Sequence, residues 1–197
     1  MKTLKELSLL MKDDTVGDGK AEIVMDYVMS YSLRMATNAY FKKDSKLCQY
    51  CRYMLGKLID VKITNKTNVK SVKVWKEWQR IDLCVEVIIQ DGDNELKYAL
   101  LIENKYYTLL HNDQLSRYKE VFDNYYKTKE WRKVYKLVTC HERYNIKKFY
   151  GKELLKNPEF KALNFYDLLP KRYWHEDTRS YDDTENDIFN EFWLRDW

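Results

Sequence analysis

Residues 80–105 constrain the fold of this chain more than any other stretch. Arg80 to Ile89 reads RIDLCVEVII, in which Ile81, Leu83, Val85, Val87 and Ile89 alternate with Asp82, Cys84 and Glu86, the two-residue period of a strand. Gln90 to Glu95 (QDGDNE) is turn chemistry with Asp91-Gly92 as the hairpin signal, and a second apolar run follows, Tyr98 to Lys105 (YALLIENK). Two antiparallel strands are predicted. Leu100, Leu101 and Ile102 leave the second strand without a polar face, so it is expected to be buried on both sides.

The flanking segments supply material to cover it. Lys20 to Met35 places Ile23, Val24, Tyr27, Val28, Tyr31 and Met35 at helical spacing, and Leu47 to Leu58 repeats the period, so the N-terminal third reads as helical. From Asp60 the pattern turns β-branched, with Val61 and Ile63 and then Val69 to Val74 predicting strand. After the hairpin, Leu115, Tyr118, Val121, Phe122 and Tyr125 predict a helix over His111 to Tyr126, and Val134 to Thr139 a short strand. Strand, helix, strand implies a parallel crossover. Leu163 to Leu169 is expected to supply the last strand before a turn at Pro170, and Thr184 to Leu194 a closing helix. The expected whole is one mixed α/β domain over residues 1–197: a helical part (1–60), a core (61–170) and a Trp-rich tail (171–197).

Composition narrows the class. With 45% hydrophobic and 34% charged residues but only five Gly and two Pro, the chain is neither disordered nor fibrous. No run approaches the roughly 20 apolar residues of a membrane helix, so no membrane span is expected. The N-terminus, MKTLKELSLLMKDD, has only Leu7 to Met11 before the next Lys, too short for a signal-peptide core, and a cytoplasmic location is the expectation. Four cysteines do not make a disulfide scaffold. Cys48 and Cys51 form a lone CxxC whose only complement for zinc is Cys140-His141, whereas Leu47, Cys51, Met54, Leu55 and Leu58 read as the stripe of an ordinary helix.

Charge is uneven. The last 27 residues carry −4, leaving +8 on residues 1–170. Lys66, Lys70, Lys73, Lys76 and Arg80 are interleaved with Trp75 and Trp78, a mixture suited to phosphate neutralisation and base stacking; the alternative is a solvated strand whose tryptophans pack inward.

Metal-assisted phosphodiester hydrolysis needs carboxylates converging on a cation and a group that orients the attacking water. Glu103 and Lys105, two apart on a strand, share a face. Centring the hairpin between Gly92 and Asp93 sets Asp82 opposite Glu103. A structural Glu103–Lys105 ion pair is the alternative, since a buried carboxylate and ammonium must pair with each other or with a cation.

Asp82, the apolar strand and Ile102-Glu103-Asn104-Lys105 resemble the PD-(D/E)XK nuclease superfamily, whose core is an acid on one strand and an E-x-K element on the next. Gln114-Leu-Ser-Arg-Tyr118 is similar to the Q-x-x-x-Y element that several of its branches carry on the following helix. One departure is Ile81 where the motif's name has Pro. The resemblance spans roughly Lys73 to Thr139 and implies a restriction-endonuclease-like αβββαβ core, with a mixed central sheet flanked by helices. It implies Mg²⁺ or Mn²⁺ held by Asp82, Glu103 and the backbone carbonyl of Asn104, with Lys105 as the catalytic lysine. Gln114 and Tyr118 would steady that lysine or contact phosphate. Glu22 is the candidate for a carboxylate added from the first helix, with Asp26 one turn later. The implied activity is hydrolysis of nucleic acid, DNA first, leaving 5′-phosphate and 3′-hydroxyl ends, with a homodimer or protein partner open. A non-catalytic nuclease-fold module in a defence or repair system is the competing class. A third is an interaction protein whose acidic tail docks on a basic face.

Overall fold

The computed structural model describes residues 8–11 and 21–195; the signal-peptide reading of the N-terminus and the start of the first helix at Lys20 lie outside them. The hairpin forms as expected. Strand β2 (Ile81–Asp91) pairs antiparallel with β3 (Asn94–Lys105), from Asp91 opposite Asn94 to Leu83 opposite Ile102. Gly92 takes φ 60°, as the tight turn demands. Strand β1 (Asn68–Trp78) pairs antiparallel with β2. On the other side β4 (Arg132–Thr139) and β5 (Phe160–Asn164) run parallel to β3, giving one mixed five-stranded sheet in the order β1-β2-β3-β4-β5. This is the α/β, restriction-endonuclease-like architecture.

Helices α1 (Ala21–Met35) and α2 (Lys46–Ile59) cover one face, where Met29, Leu33, Met54 and Leu58 meet Val85, Leu100 and Ile102. Helix α3 (Gln114–Tyr125) belongs to the other face, packing Leu115 and Phe122 against Cys84, Leu101 and Tyr135. Burying β3 from both sides stabilises the sheet by about 1.5–3 kcal/mol for each large apolar side chain removed from water. Among the described residues no helix is long and apolar enough to cross a membrane.

Several boundaries differ from expectation. Val61 and Ile63 are loop, because α2 ends at Asp60 in the left-handed conformation (φ 55°) and the chain folds back over Gly56. A Cβ at Gly56 would lie 2.6 Å from the Val61 carbonyl oxygen. The last strand of the five-stranded sheet is Phe160–Asn164, not Leu163 to Leu169: Asn164 caps a 3₁₀ turn over Phe165–Leu168, and Trp174–His175 and Ser180–Tyr181 then form a separate two-stranded antiparallel pair. A helix with no counterpart in the sequence reading, α4 (Arg143–Lys156), precedes it and buries fully only Tyr150. The tail closes the α1/α2 face through a short turn (Asp187–Phe189) and a π-helical turn (Asn190–Leu194) in place of the expected longer helix. Trp193 stacks on Phe165 at 4.4 Å and donates from Nε1 to Ser32 Oγ at 2.9 Å.

Candidate active site

The end of β3, the start of β2 and the first turns of α1 and α3 converge where the chain leaves the sheet. The β2–β3 ladder stops one step short of Asp82 and Glu103, and Asp82 Oδ2 accepts from the Asn104 backbone N–H at 2.8 Å. Glu103 is fully buried and Lys105 nearly so. Lys105 Nζ stands 2.7 Å from Glu103 Oε1 and 3.7 Å from Glu22 Oε2. Gln114 Nε2 donates to the same Glu103 oxygen at 2.5 Å and to the Tyr118 hydroxyl at 3.2 Å, while Gln114 Oε1 accepts from His111 N–H at 3.1 Å. That last bond fixes which end of the amide faces Glu103.

Helix α1 brings two more carboxyls. Glu22 Oε1 accepts from Tyr106 N–H at 3.0 Å and from the Thr108 hydroxyl, so it is anchored to the loop after β3. Asp26, buried one turn later, accepts from Asn104 Nδ2 at 2.7 Å on the opposite side of β3 from Glu103. Both helix candidates thus reach the strand, at different points. Glu77, in the left-handed region at φ 54°, lies between the pairs Lys76–Leu83 and Trp78–Ile81 and hence level with Asp82. The sequence reading did not single it out, although the β1–β2 register, once known, puts it there.

Three carboxyl groups, Glu103, Glu22 and Asp82, thus act on one ammonium, while Asp26 bears on Asp82 and Glu22 from the other side of β3. Burial, and then Asp82, push the Glu103 pKa well above its ordinary value, against the pull of Lys105. Burial likewise raises Asp82, opposed by the Asn104 N–H and Lys105, and lifts Asp26 to about 7, with Asp82 adding to the effect. For Lys105, burial alone would lower the pKa, but Glu103, Glu22 and Asp82 outweigh it, so the ammonium stays charged. Among the described residues no N–H or hydroxyl group donates to the buried Glu103 Oε2, the Glu103 and Asp82 carboxyls lie within hydrogen-bond reach of each other, and no three of His, Cys, Asp or Glu are grouped so as to hold a metal ion. An acid pair with open positions beside it can take a hard cation that keeps water and phosphate as its other ligands.

The basic residues read from the sequence are not brought together. Lys70 is paired with Glu95 at 2.5 Å. Lys76 lies 4.6 Å from the Tyr27 ring centroid on the α1 side, whereas Lys73 alternates with it across β1. Arg80 sits in the β1–β2 turn at φ 68°, and Lys66 in the loop before β1. Cys48 and Cys51 are buried on α2 among apolar neighbours, burial raises the Cys51 thiol well above its ordinary value, and among the described residues no group of three His, Cys, Asp or Glu gathers around them.

No curated protein and no solved structure matches the chain. A family model described as the PD-(D/E)XK nuclease superfamily matches residues 19–189, taking in α1, the acid-bearing hairpin, α3 and most of the tail, and the chain belongs to that superfamily.

Proposed function

We propose that the protein is a divalent-cation-dependent nuclease that hydrolyses phosphodiester bonds in DNA, leaving 5′-phosphate and 3′-hydroxyl ends. The observation that carries this is the buried pair of carboxyls, Glu103 and Asp82, held within hydrogen-bond reach of each other while no N–H or hydroxyl group donates to Glu103 Oε2. Two buried carboxyls side by side cannot both ionise without cost, and a cation bound between them removes that cost.

Asp82 and Glu103 would hold the ion, with the Asn104 carbonyl and, at the margin, Glu22. Mg²⁺ or Mn²⁺ suits a site with few protein oxygens, because such ions keep water and substrate phosphate as ligands. When bound, the ion supplies charge stabilisation at the phosphoryl oxygens and acidifies a water. Lys105, charged and held by Glu103 and Glu22, orients the attacking water and stabilises charge growing on the phosphoryl oxygens. Gln114 keeps Glu103 aimed, and Tyr118 contacts the substrate phosphate. The retained acids and lysine count against an inactive binding module.

The test is cleavage of supercoiled plasmid and of end-labelled DNA and RNA oligonucleotides with Mg²⁺, Mn²⁺ or EDTA, by wild type and Asp82→Asn. Cation-dependent cutting that disappears in Asp82→Asn is expected. Wild type that cuts nothing with either ion, or cutting that survives Asp82→Asn, overturns the proposal.

A further inference from the structure

Helix α4 is the element of this fold that packing explains least. Only Tyr150 is fully buried from it, and its charges work against it. Arg143 to Lys156 holds five basic residues and one acid, with no acid in the first turn, where the helix dipole favours one. Arg143 is paired with Asp167, and Lys156 with Asp113 at 2.8 Å and Glu153 at 3.1 Å. Among the described residues Lys147, Lys148 and Lys152 form no ion pair. Lys148 and Lys152, four apart, share one exposed stripe of the helix and repel each other. Beside that stripe two rings are held in place yet open to solvent. Phe149 stacks on His141 at 4.1 Å and Tyr107 meets the same imidazole edge-on at 5.1 Å, leaving Phe149 37% and Tyr107 51% exposed. The Lys148 ammonium stands 5.3 Å from the Phe149 ring centroid. This surface adjoins the catalytic strand: the Tyr150 hydroxyl donates to the Thr108 carbonyl at 2.8 Å, and the Thr108 hydroxyl donates to Glu22, whose other oxygen faces Lys105.

A row of unpaired ammonium groups flanked by exposed rings is complementary to a sugar-phosphate backbone, which brings phosphates to the lysines and sugar edges to the rings. The spacing agrees. One turn of helix sets Lys148 and Lys152 about 6 Å apart along its axis, so the two can neutralise separate phosphates. The chain's own acid-rich tail does not cover them, since it seats Phe189 and Trp193 in the core on the α1/α2 face, whereas α4 packs Leu154 on the α3 face. We infer that the substrate backbone runs from the carboxylates past Tyr107 and along α4, where Lys148 and Lys152 hold phosphates on one flank of the scissile bond. The inference rests on the nuclease reading above and gives its substrate a path across the protein.

The experiment measures binding of a fluorescein-labelled DNA duplex by anisotropy in EDTA, where no cutting occurs, between about 50 and 200 mM salt. Wild type is compared with Lys148→Ala/Lys152→Ala and with Lys42→Ala/Lys43→Ala, a control in the loop after α1, at the end of that helix away from Glu22. All four side chains are exposed and Ala is a better helix former than Lys; melting curves establish that the variants fold. Expected is a slope of log affinity against log salt shallower by about 1.8 in the α4 variant, two contacts at about 0.9 each, with the control unchanged. An unchanged slope in the α4 variant, an equal change in the control, or no binding by wild type overturns the inference. So does an oligoglutamate peptide that binds as tightly as the duplex, which would make an acidic protein segment the occupant. Cleavage by wild type, with an α4 variant that binds and cuts equally well, counts against the path alone; a shallower slope without cleavage by any ion counts against the nuclease reading alone.

Discussion

Gln114, the first residue of α3, donates to Glu103 Oε1 at 2.5 Å, the oxygen that Lys105 Nζ also reaches at 2.7 Å. One amide thereby ties the helix to the acid of β3 and fixes the carboxyl beside Asp82. Partners that orient ligands in this way typically account for 10- to 100-fold in metal affinity or activity. Gln114→Ala is therefore expected to slow single-turnover cleavage by about 10- to 100-fold with the fold intact. Gln114→Glu sets a further carboxylate against Glu103, so its melting temperature should drop without Mg²⁺ and recover with it. A Gln114→Ala variant cutting at the wild-type rate would remove the helix from the mechanism.

Acid groups whose pKa burial raises make the cation-free protein pH-sensitive. Asp26 is raised to about 7 by burial first and by Asp82 second, and Asp82 and Glu103 shift in the same direction. In the folded chain Asp26 keeps its proton between about pH 4 and 7, whereas the unfolded chain has released it. The folded state thus binds more protons in that window, and stability falls as pH rises through it. Melting temperature without divalent ions is expected to decline from pH 5 to pH 7.5, less steeply in Asp26→Asn. Mg²⁺ should stabilise more at pH 7.5 than at pH 5, because protons and cation compete for the same oxygens. A slope identical in Asp26→Asn and wild type would sink the assignment.

The hairpin was legible because its local chemistry decides its register: Asp91-Gly92 sets the turn, and a period of two does the rest. Asp82, Glu103, Lys105 and Gln114 meet in space as their strand and helix spacing implies. What stayed hidden depends on tertiary contacts. Helix α4 buries little besides Tyr150, leaves Leu155 85% exposed and includes Gly151, so its apolar period is faint. Phe160–Asn164 becomes the strand, not the apolar run after it, because the Asn164 side chain accepts from Tyr166 N–H and turns the chain. Glu22, the candidate by position, and Asp26 lie one turn apart on α1, and it is the loop after β3, anchored by Glu22 through Tyr106, that brings Glu22 to Lys105.

The tail adds stability from outside the catalytic core. Trp193 is buried against Phe165 and bonded to Ser32, joining α1 to the 3₁₀ turn after β5. Trp193→Ala is expected to cost about 3–5 kcal/mol in chemical denaturation, and Trp193→Phe less, because it removes only the hydrogen bond and part of the ring area. A cost under about 1 kcal/mol, typical of surface sites, would mean the tail is not seated on α1.

Salt dependence should separate the lysines that the sequence grouped together. Lys70 is already neutralised by Glu95, whereas Lys76 lies over the Tyr27 ring on the α1 side of β1, the side on which α1 brings its carboxyls to β3. Removing one lysine–phosphate interaction lowers the slope of log affinity against log salt by about 0.9. Lys76→Ala is expected to show that change and Lys70→Ala almost none, measured by fluorescence anisotropy between about 50 and 200 mM salt, the range over which such interactions tell. Equal changes in both would place the nucleic acid along the whole of β1 instead.

Lys105 distinguishes chemistry from structure most sharply. If its ammonium served only to neutralise Glu103, Lys105→Ala would mainly destabilise the fold, by about 1–3 kcal/mol for the buried carboxyl left behind, and Mg²⁺ would not repair the damage. If it acts on the attacking water, cleavage disappears while binding of DNA and cation survives, because the interaction is made in the transition state. A dication beside Asp82 and Glu103 then supplies the missing positive charge, so the melting temperature of Lys105→Ala recovers with Mg²⁺ although activity does not. Melting curves with and without Mg²⁺, run beside a plasmid cleavage assay for wild type and Lys105→Ala, read both effects. A variant that still cuts at near wild-type rate removes the lysine from the chemistry. One whose stability ignores Mg²⁺ removes the cation from the Asp82–Glu103 pair, since it is the positive charge that Lys105 brings to Glu103, Glu22 and Asp82 that the dication would replace.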